Sequence, residues 1–436
     1  MKQAWALRGV TVLDGRGNRA EDQAVVTQGG RISAVVPDAD YRPLDGVVER
    51  DLSGMFVMPG LIDAHVHLSG GRVDVLEGEA GMIDEPPQLR AMRSVYEAQA
   101  ILKRGFTTVR DVSWNGLYLK RLFKERQVPG PRVVACGPGL TRTGGHGDLY
   151  QHEPDYAHRR GAWGYVADGP DEMVKAVRTL LREGADAIKI FASGGGNWPH
   201  DRSTDMHYSD AELRAAIEEA HRQVGTIVMV HAETAESIRA AIEAGADTIE
   251  HGEDLDDEII ALMVERGTIL VPTMELIVNW HRDFLPIGDA GEPLRTHAFL
   301  HRDMHDQADE AVSEAMSQGA IANFQKAIDA GVRIALGSDT VFEPATPYGE
   351  YSAREFAALV RYGMTADQAI VAATSVGADA VGLGHVLGTV EAGKQADLLV
   401  VRQDPTTGPE VLVDPANIHL TFCDGILTVV DGKFDW

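Results

Sequence analysis

The sequence predicts an α/β protein: a (β/α)8 (TIM) barrel with a small β-sandwich domain formed by both termini. Three observations carry this expectation: β-rich segments at both ends, strand–helix alternation through the middle, and no glycine-rich phosphate loop after the first strand. The opening supplies short β-branched runs at 9–15, 23–27 and 31–36, separated by Gly and Asp turns. The same texture returns at 396–401 and 426–430, followed by Asp431-Gly432. Two alike ends around a different middle are expected to form one sheet domain, from residues 1–57 and 389–436, with the barrel at 58–388. Candidate barrel strands lie at 57–67, 107–112, 132–136, 187–192, 226–231, 248–251, 268–272 and 333–337. Helical segments fall between them, as at 171–183 and 210–223, where apolar residues recur every three or four positions. Such alternation over about 280 residues suits a barrel better than a doubly wound sheet. Gly194-Gly195-Gly196 reads as a flexible strand-end loop rather than an anion cradle.

Composition narrows the function. The 436 residues include 40 Lys+Arg and 66 Asp+Glu, a formal net charge of −26. That charge repels phosphate backbones and anionic headgroups, so no nucleic-acid or membrane partner is expected. Cys136 and Cys423 are the only cysteines, too few for a disulfide framework or a four-thiolate zinc site. The chain opens without a signal-like apolar core and holds no run of about 18 apolar residues, so a cytoplasmic protein is expected. A small-molecule substrate and a homo-oligomeric state complete the expectation.

In Asp63-Ala64-His65-Val66-His67 the histidines are two apart, so on a strand both point to one face and make a metal half-site. They lie near the end of the first predicted strand, where barrel active sites are built. His231 and His251 end later strands, and Asp339 follows Leu336-Gly337-Ser338. Singly, each reads as a hydrogen-bonded histidine or a capping aspartate. Together, at one end of several strands, they read as a joint metal site. Lys189 sits in the apolar run Ala187-Ile188-Lys189-Ile190-Phe191, and a buried ammonium must be paired or discharged. An internal salt bridge would serve; so would reaction with carbon dioxide to give a carbamate bridging two cations.

With these residues in hand, the chain resembles the amidohydrolase superfamily, and more closely its prolidase-like branch with ochratoxin- and phenylurea-type amide hydrolases. The marks are Pro59-Gly60-Leu61-Ile62-Asp63-Ala64-His65-Val66-His67, Thr107-Thr108-Val109-Arg110-Asp111, Thr143-Gly144-Gly145-His146-Gly147, Ile188-Lys189-Ile190, His231-Ala232-Glu233, Ile249-Glu250-His251-Gly252, Gly337-Ser338-Asp339 and Gly393-Lys394-Gln395-Ala396-Asp397. The resemblance implies that His65 and His67 hold one divalent cation with Asp339, that His231 and His251 hold the other, and that carboxylated Lys189 bridges them. Zinc suits these donors, and cobalt, manganese or iron fits the same set. His146, in a glycine-rich loop, is implied to contact the substrate carbonyl.

Other candidates are weaker. Tyr208 either reaches the substrate or packs as an ordinary tyrosine before a helix capped by Ser209 or Asp210. Arg110 and Asp111 read as an internal ion pair, and His221 as a surface or packing residue. On the implied mechanism, water bridging two cations becomes hydroxide and adds to a carbonyl polarised by metal and His146. Asp339 then carries the proton to the leaving nitrogen. Substrate identity stays open between two readings. An N-acyl amino acid or Xaa-Pro-type dipeptide would use Arg142 or Arg202 for its carboxylate. A neutral amide, urea or carbamate would meet Trp114, Trp198, Met274 and Trp280. A non-catalytic scaffold on the same fold is the remote alternative. The long connection 273–330, with Trp280, His281, Phe284, His297, Phe299 and His301, leaves room for structure at the catalytic end.

Overall fold

The computed structural model of the chain describes residues 2–72, 84–149, 163–195, 201–283 and 307–435. The amino-terminal part forms β1 (Ala4–Leu13), β2 (Arg19–Gln28), β3 (Arg31–Pro37), β4 (Val47–Asp51) and β5 (Phe56–Pro59). The middle carries β6 (Leu61–Val66), β7 (Phe106–Asp111), β8 (Arg132–Ala135), β9 (Gly139–Thr141), β10 (Gly164–Val166), β11 (Ala187–Phe191), β12 (Ile227–Ala232), β13 (Thr248–His251) and β14 (Ile269–Val271). The carboxyl-terminal part adds β15 (Leu398–Val401), β16 (Ile418–Cys423), β17 (Ile426–Val430) and β18 (Lys433–Phe434).

Both ends build one nine-stranded sheet, in the order β18-β17-β16-β15-β5-β1-β2-β3 with β4 on β1. The join is the antiparallel pair β5–β15, which sets Pro59 opposite Leu398 and Phe56 opposite Val401. Leu7, Val25, Val57, Leu398 and Phe422 share one apolar cluster, while Ala6, Ala24 and Val26 turn to another with Tyr41. That is the two-residue alternation of a strand with apolar contacts on both faces.

The middle strands run parallel in two sheets, β6-β7-β8 and β10-β9-β11-β12-β13-β14. Residues 333–336 lie between them: Leu270 and Ala335 exchange hydrogen bonds with this segment and β14, and Ala64 N of β6 donates to Leu336 O at 2.8 Å. The expected strand at 333–337 thus carries one bridge, Ile334 with Leu270, rather than a ladder. The expected strand at 57–67 breaks at Gly60. Gly60 N donates to Asp397 O, and a Cβ at this position would lie 2.3 Å from Thr107 Oγ1, so only glycine lets the chain cross so closely from one sheet to the next.

Helices cover these strands. In Asp210–His221 the buried residues Leu213, Ala216, Ile217 and Ala220 make one helical stripe. A Ser209/Glu212 capping box starts the helix, an arrangement worth about 1 kcal/mol. His221, at its end, pairs with Asp247 at 2.8 Å on the surface, as expected of a non-catalytic histidine. Helices Met274–Asp283 and Gln307–Asp329 occupy the long connection after β14. Phe284, His297, Phe299 and His301 lie outside the described residues. Among the described residues, no helix is long and apolar enough to cross a membrane.

Candidate metal centre and active site

The carboxyl ends of the parallel strands bring the expected donors together. His65, within β6, and His67, just beyond it, are 1% and 3% exposed, with ring centroids 5.3 Å apart. Asp339 Oδ1 lies 2.9 Å from His67 Nε2 and 3.5 Å from His65 Nε2, and Asp339 Oδ2 lies 4.0 Å from His251 Nε2. Ligating atoms of His65, His251 and Asp339 all fall within 4.8 Å of one another. The His231 ring sits 4.6 Å from that of His251. Lys189 Nζ, on β11, is 3.5 Å from His65 Nε2. Among the described residues it makes no ion pair with a carboxylate, although Glu250 and Asp339 are near enough to act on its charge.

Backbone conformation aims several of these groups. His251, Thr273 and Asp339 all have left-handed backbones, with φ of 68°, 47° and 53°. For residues with a side chain this costs about 1–3 kcal/mol each and is held only by surrounding structure. Asp339 N donates to His65 O at 2.8 Å, tying its turn to β6. Asp63 completes the tie: it accepts from Ser338 N at 3.0 Å and from Ser338 Oγ at 2.6 Å. Burial lifts the Asp63 carboxyl to about 6 despite those bonds.

Each histidine has one nitrogen facing an oxygen of the protein. His67 Nδ1 donates to Val112 O at 3.0 Å, and His231 Nε2 to Gly194 O at 3.1 Å. His251 Nδ1 lies 2.8 Å from Thr273 Oγ1, and His65 Nδ1 lies 2.9 Å from Glu250 Oε2. The nitrogens left for a cation are therefore Nε2 of His65, His67 and His251, and Nδ1 of His231. Burial lowers the His65 imidazole to about 4 and that of His251 to about 3, and drives His231 well below its ordinary value. Neutral imidazoles are what a cation needs. Burial likewise brings the Lys189 ammonium down to about 8, within reach of the free amine that adds to carbon dioxide. For Asp339 burial pushes upward, but the facing histidines win and hold it well below the usual carboxylate range. Four imidazoles, an anionic carboxylate and a dischargeable lysine around one buried space fit divalent cations.

Arg110 is a correction. It is fully buried and pairs with Glu250 at 2.7 Å rather than with Asp111. Successive residues on a strand face opposite sides, so Arg110 and Asp111 cannot meet. Asp111 instead accepts from Leu68 N at 2.6 Å and from Ser113 Oγ at 2.7 Å, organising the turn after β7. Tyr208 is 2% exposed and its hydroxyl donates to Ala167 O at 3.1 Å, the environment of a packed tyrosine. Met274 likewise lies in the core, and half-buried Trp114 packs against it.

His146 joins the site through a loop. Its ring stacks on His231 with centroids 4.5 Å apart, and its Nδ1 lies 2.7 Å from Asp201 Oδ2. A Cβ on Gly195 would meet the His146 ring at 2.3 Å, and one on Gly194 would meet Arg202 O at 2.2 Å. Gly194 and Gly195 are thus positions of close approach. Arg142 hydrogen-bonds locally to Thr143 O, and Arg202 pairs with Asp205 on the surface. Trp198 and the Trp280 side chain lie outside the described residues. Sequence reasoning missed Glu250, Asp63, Asp201, and the pair Trp163–Phe342, whose tryptophan meets the His67 ring edge-on at 5.2 Å. Glu250 and Asp63 stood beside ligands in their motifs; Asp201 and Trp163 gave no signal.

Residues 56–427 match the amidohydrolase family. Among relatives, ochratoxinase of Aspergillus niger is 31% identical over 395 residues, covering 87% of this chain and 77% of its own. Its crystal structure matches with a TM-score of 0.85 at 27% identity, over 98% of this chain and 95% of that one. A prolidase complexed with N-methylphosphonate-L-proline matches with a TM-score of 0.83 at 32% identity, covering 98% of this chain and 100% of its own. A Xaa-Pro dipeptidase with methionine bound in its active site has a TM-score of 0.80 at 28% identity, with 97% and 99% covered. On that match over most of its length, the chain belongs to the amidohydrolase family, on the branch of its ochratoxinase and prolidase-like relatives, and is a hydrolase acting on carbon–nitrogen bonds.

Proposed function

We propose that the protein hydrolyses an amide or peptide-like C–N bond of an N-acyl amino acid or Xaa-Pro-type dipeptide. Two divalent cations, most simply zinc, would be held by His65, His67, His231, His251 and Asp339, with Lys189 as a carbamate between them. The observation that carries this reading is the convergence of His65, His251 and Asp339 atoms within 4.8 Å, with Lys189 Nζ 3.5 Å from His65. Such cations acidify water and polarise carbonyl groups when bound. Asp339 takes a proton from the attacking water and passes it to the leaving nitrogen, which cannot depart as an amide anion. His146, with Nδ1 engaged by Asp201, turns Nε2 to the substrate carbonyl oxygen.

A second reading, a neutral amide, urea or carbamate as substrate, is favoured by one observation: Trp163 and Phe342 form an apolar edge against His67. We further propose that the parallel strands close into a (β/α)8 barrel over 58–388, flanked by a sandwich from 1–57 and 389–436. Its support is the bonding of 333–336 to both β14 and β6. The reading keeps a cytoplasmic setting and a homo-oligomer.

Metal analysis and a hydrolysis screen against N-acyl amino acids, Xaa-Pro dipeptides, aryl ureas and carbamates test the proposal. Two bound cations and turnover of the first two classes are expected, and Lys189→Ala should fold, bind less metal and turn over little. A metal-free, inactive wild type would make the protein a scaffold. A Lys189→Ala variant with two tight cations would remove the carbamate bridge.

A further inference from the structure

We infer that Glu250, paired with Arg110, positions His65 and strengthens it as a nitrogen donor, so that the cation served by His65 and His67 binds first. The inference rests on the metal-dependent reading above.

The Arg110–Glu250 pair is wholly buried, with neither side chain exposed. A buried ion pair stabilises a fold weakly, since desolvation offsets most of the attraction and apolar residues of the same volume often do as well. Its place directly beneath the histidines suggests what it gives instead. Arg110 spends its donors widely: Nε on Ala64 O at 2.6 Å, Nη1 on Ala380 O at 3.0 Å and Thr248 Oγ1 at 3.2 Å, and Nη2 on Glu250 Oε1 at 2.7 Å. Thr248 also donates to Glu250. One carboxylate oxygen is thereby fixed, and the backbone carbonyl next to His65 is fixed with it.

The other oxygen, Oε2, lies 2.9 Å from His65 Nδ1. The contact falls outside hydrogen-bond geometry, and neither buried atom has a hydrogen-bond partner among the described residues, so each is the partner left for the other. A carboxylate accepts and does not donate, so the proton sits on Nδ1 and Nε2 keeps its lone pair toward Lys189 and Asp339, each 3.5 Å away. The other three rings differ. His67 and His231 give their single N–H to the carbonyls of Val112 and Gly194, and His251 faces the hydroxyl of Thr273. A carboxylate pulls on an imidazole proton harder than these neutral acceptors and raises the basicity of the opposite nitrogen.

Stripping the protein and titrating it with cobalt(II), followed by visible absorption, tests this. Wild type is expected to fill in two steps. In Glu250→Gln the first step should weaken about 10–100-fold, the usual loss when such a partner is removed, with an altered cobalt spectrum. His65→Ala should lose that step, and adding Glu250→Gln to it should cost nothing more, because Glu250 acts through His65. The pair of changes Glu250→Leu and Arg110→Met removes both charges and should weaken the first step in a protein whose metal-free melting temperature is retained. Additive losses in the double variant, a first step of wild-type strength, or unfolding of both charge variants without metal would overturn the inference and make the pair a strut. Absence of cobalt binding by wild type would instead sink the metal-dependent reading itself.

Discussion

The site has two halves held in different ways. The half on β6, β13 and the turn at Asp339 takes its orientation from strand residues and their immediate neighbours: Glu250 against His65, Asp63 against Ser338, the Val112 carbonyl against His67. The half around His231 and His146 takes it from loops: the Gly194 carbonyl, the missing side chain of Gly195, and Asp201. Strands fix a group through many ladder bonds, whereas a loop fixes it through a few contacts that must each be right. The strand half should therefore answer for cation binding and proton transfer, and the loop half for how the substrate is met.

The largest effect should come from the strand half. Asp339→Asn is expected to keep much of the metal affinity and to lose about 10²–10⁴-fold in kcat, the usual worth of positioned acid–base help. Near-normal turnover would leave Asp339 at most a ligand. Next comes the loop half: Asp201→Asn should lower kcat by about 10²-fold through misplacement of His146, with bound metal unchanged. If Asp201→Asn lost metal instead, the division between the halves would fail.

A smaller effect concerns stability of the metal-stripped protein. Unfolded histidine takes up a proton near pH 6.5, but His65 and His251 in the folded chain resist until about 4 and about 3. The unfolded state therefore binds more protons across that window, and stability falls as pH drops from about 6.5 toward 4. Melting temperatures across this range check it, and a flat profile would show that these rings are not buried as neutral groups. The smallest effect is one of ranking: Trp280→Ala should reorder substrates by kcat/KM without changing metal content or fold. Uniform loss across substrates would assign helix Met274–Asp283 to packing.

The donors were legible because strand geometry is regular. His-x-His spacing, the strand-ending histidines and the lysine in an apolar run each followed from a two-residue repeat or from the cost of burial. What escaped reading broke that regularity. Glu250 and His251 are neighbours that alternation sends to opposite sides, yet both serve the site, because the left-handed backbone of His251 turns its ring back. The Arg110–Asp111 pairing failed by the same alternation. Gly60 split an unbroken apolar run because two sheets cross there. Asp201 is 55 positions from His146 and meets it only through a loop whose path no local pattern announces.

The pairing of β5 with β15 has a consequence for how the protein is made. β5 runs through Gly60 straight into the strand that bears His65, and its partner β15 lies about 340 residues later. At the usual pace of translation, about 5–20 residues per second, roughly 20–70 s separate the emergence of the two strands. All six donor residues leave the ribosome before the segment that anchors the first of them, so the nascent chain carries a full set of ligands on an unmoored strand. Completion of the last sheet, rather than synthesis of the last ligand, is then the event that finishes the catalytic centre.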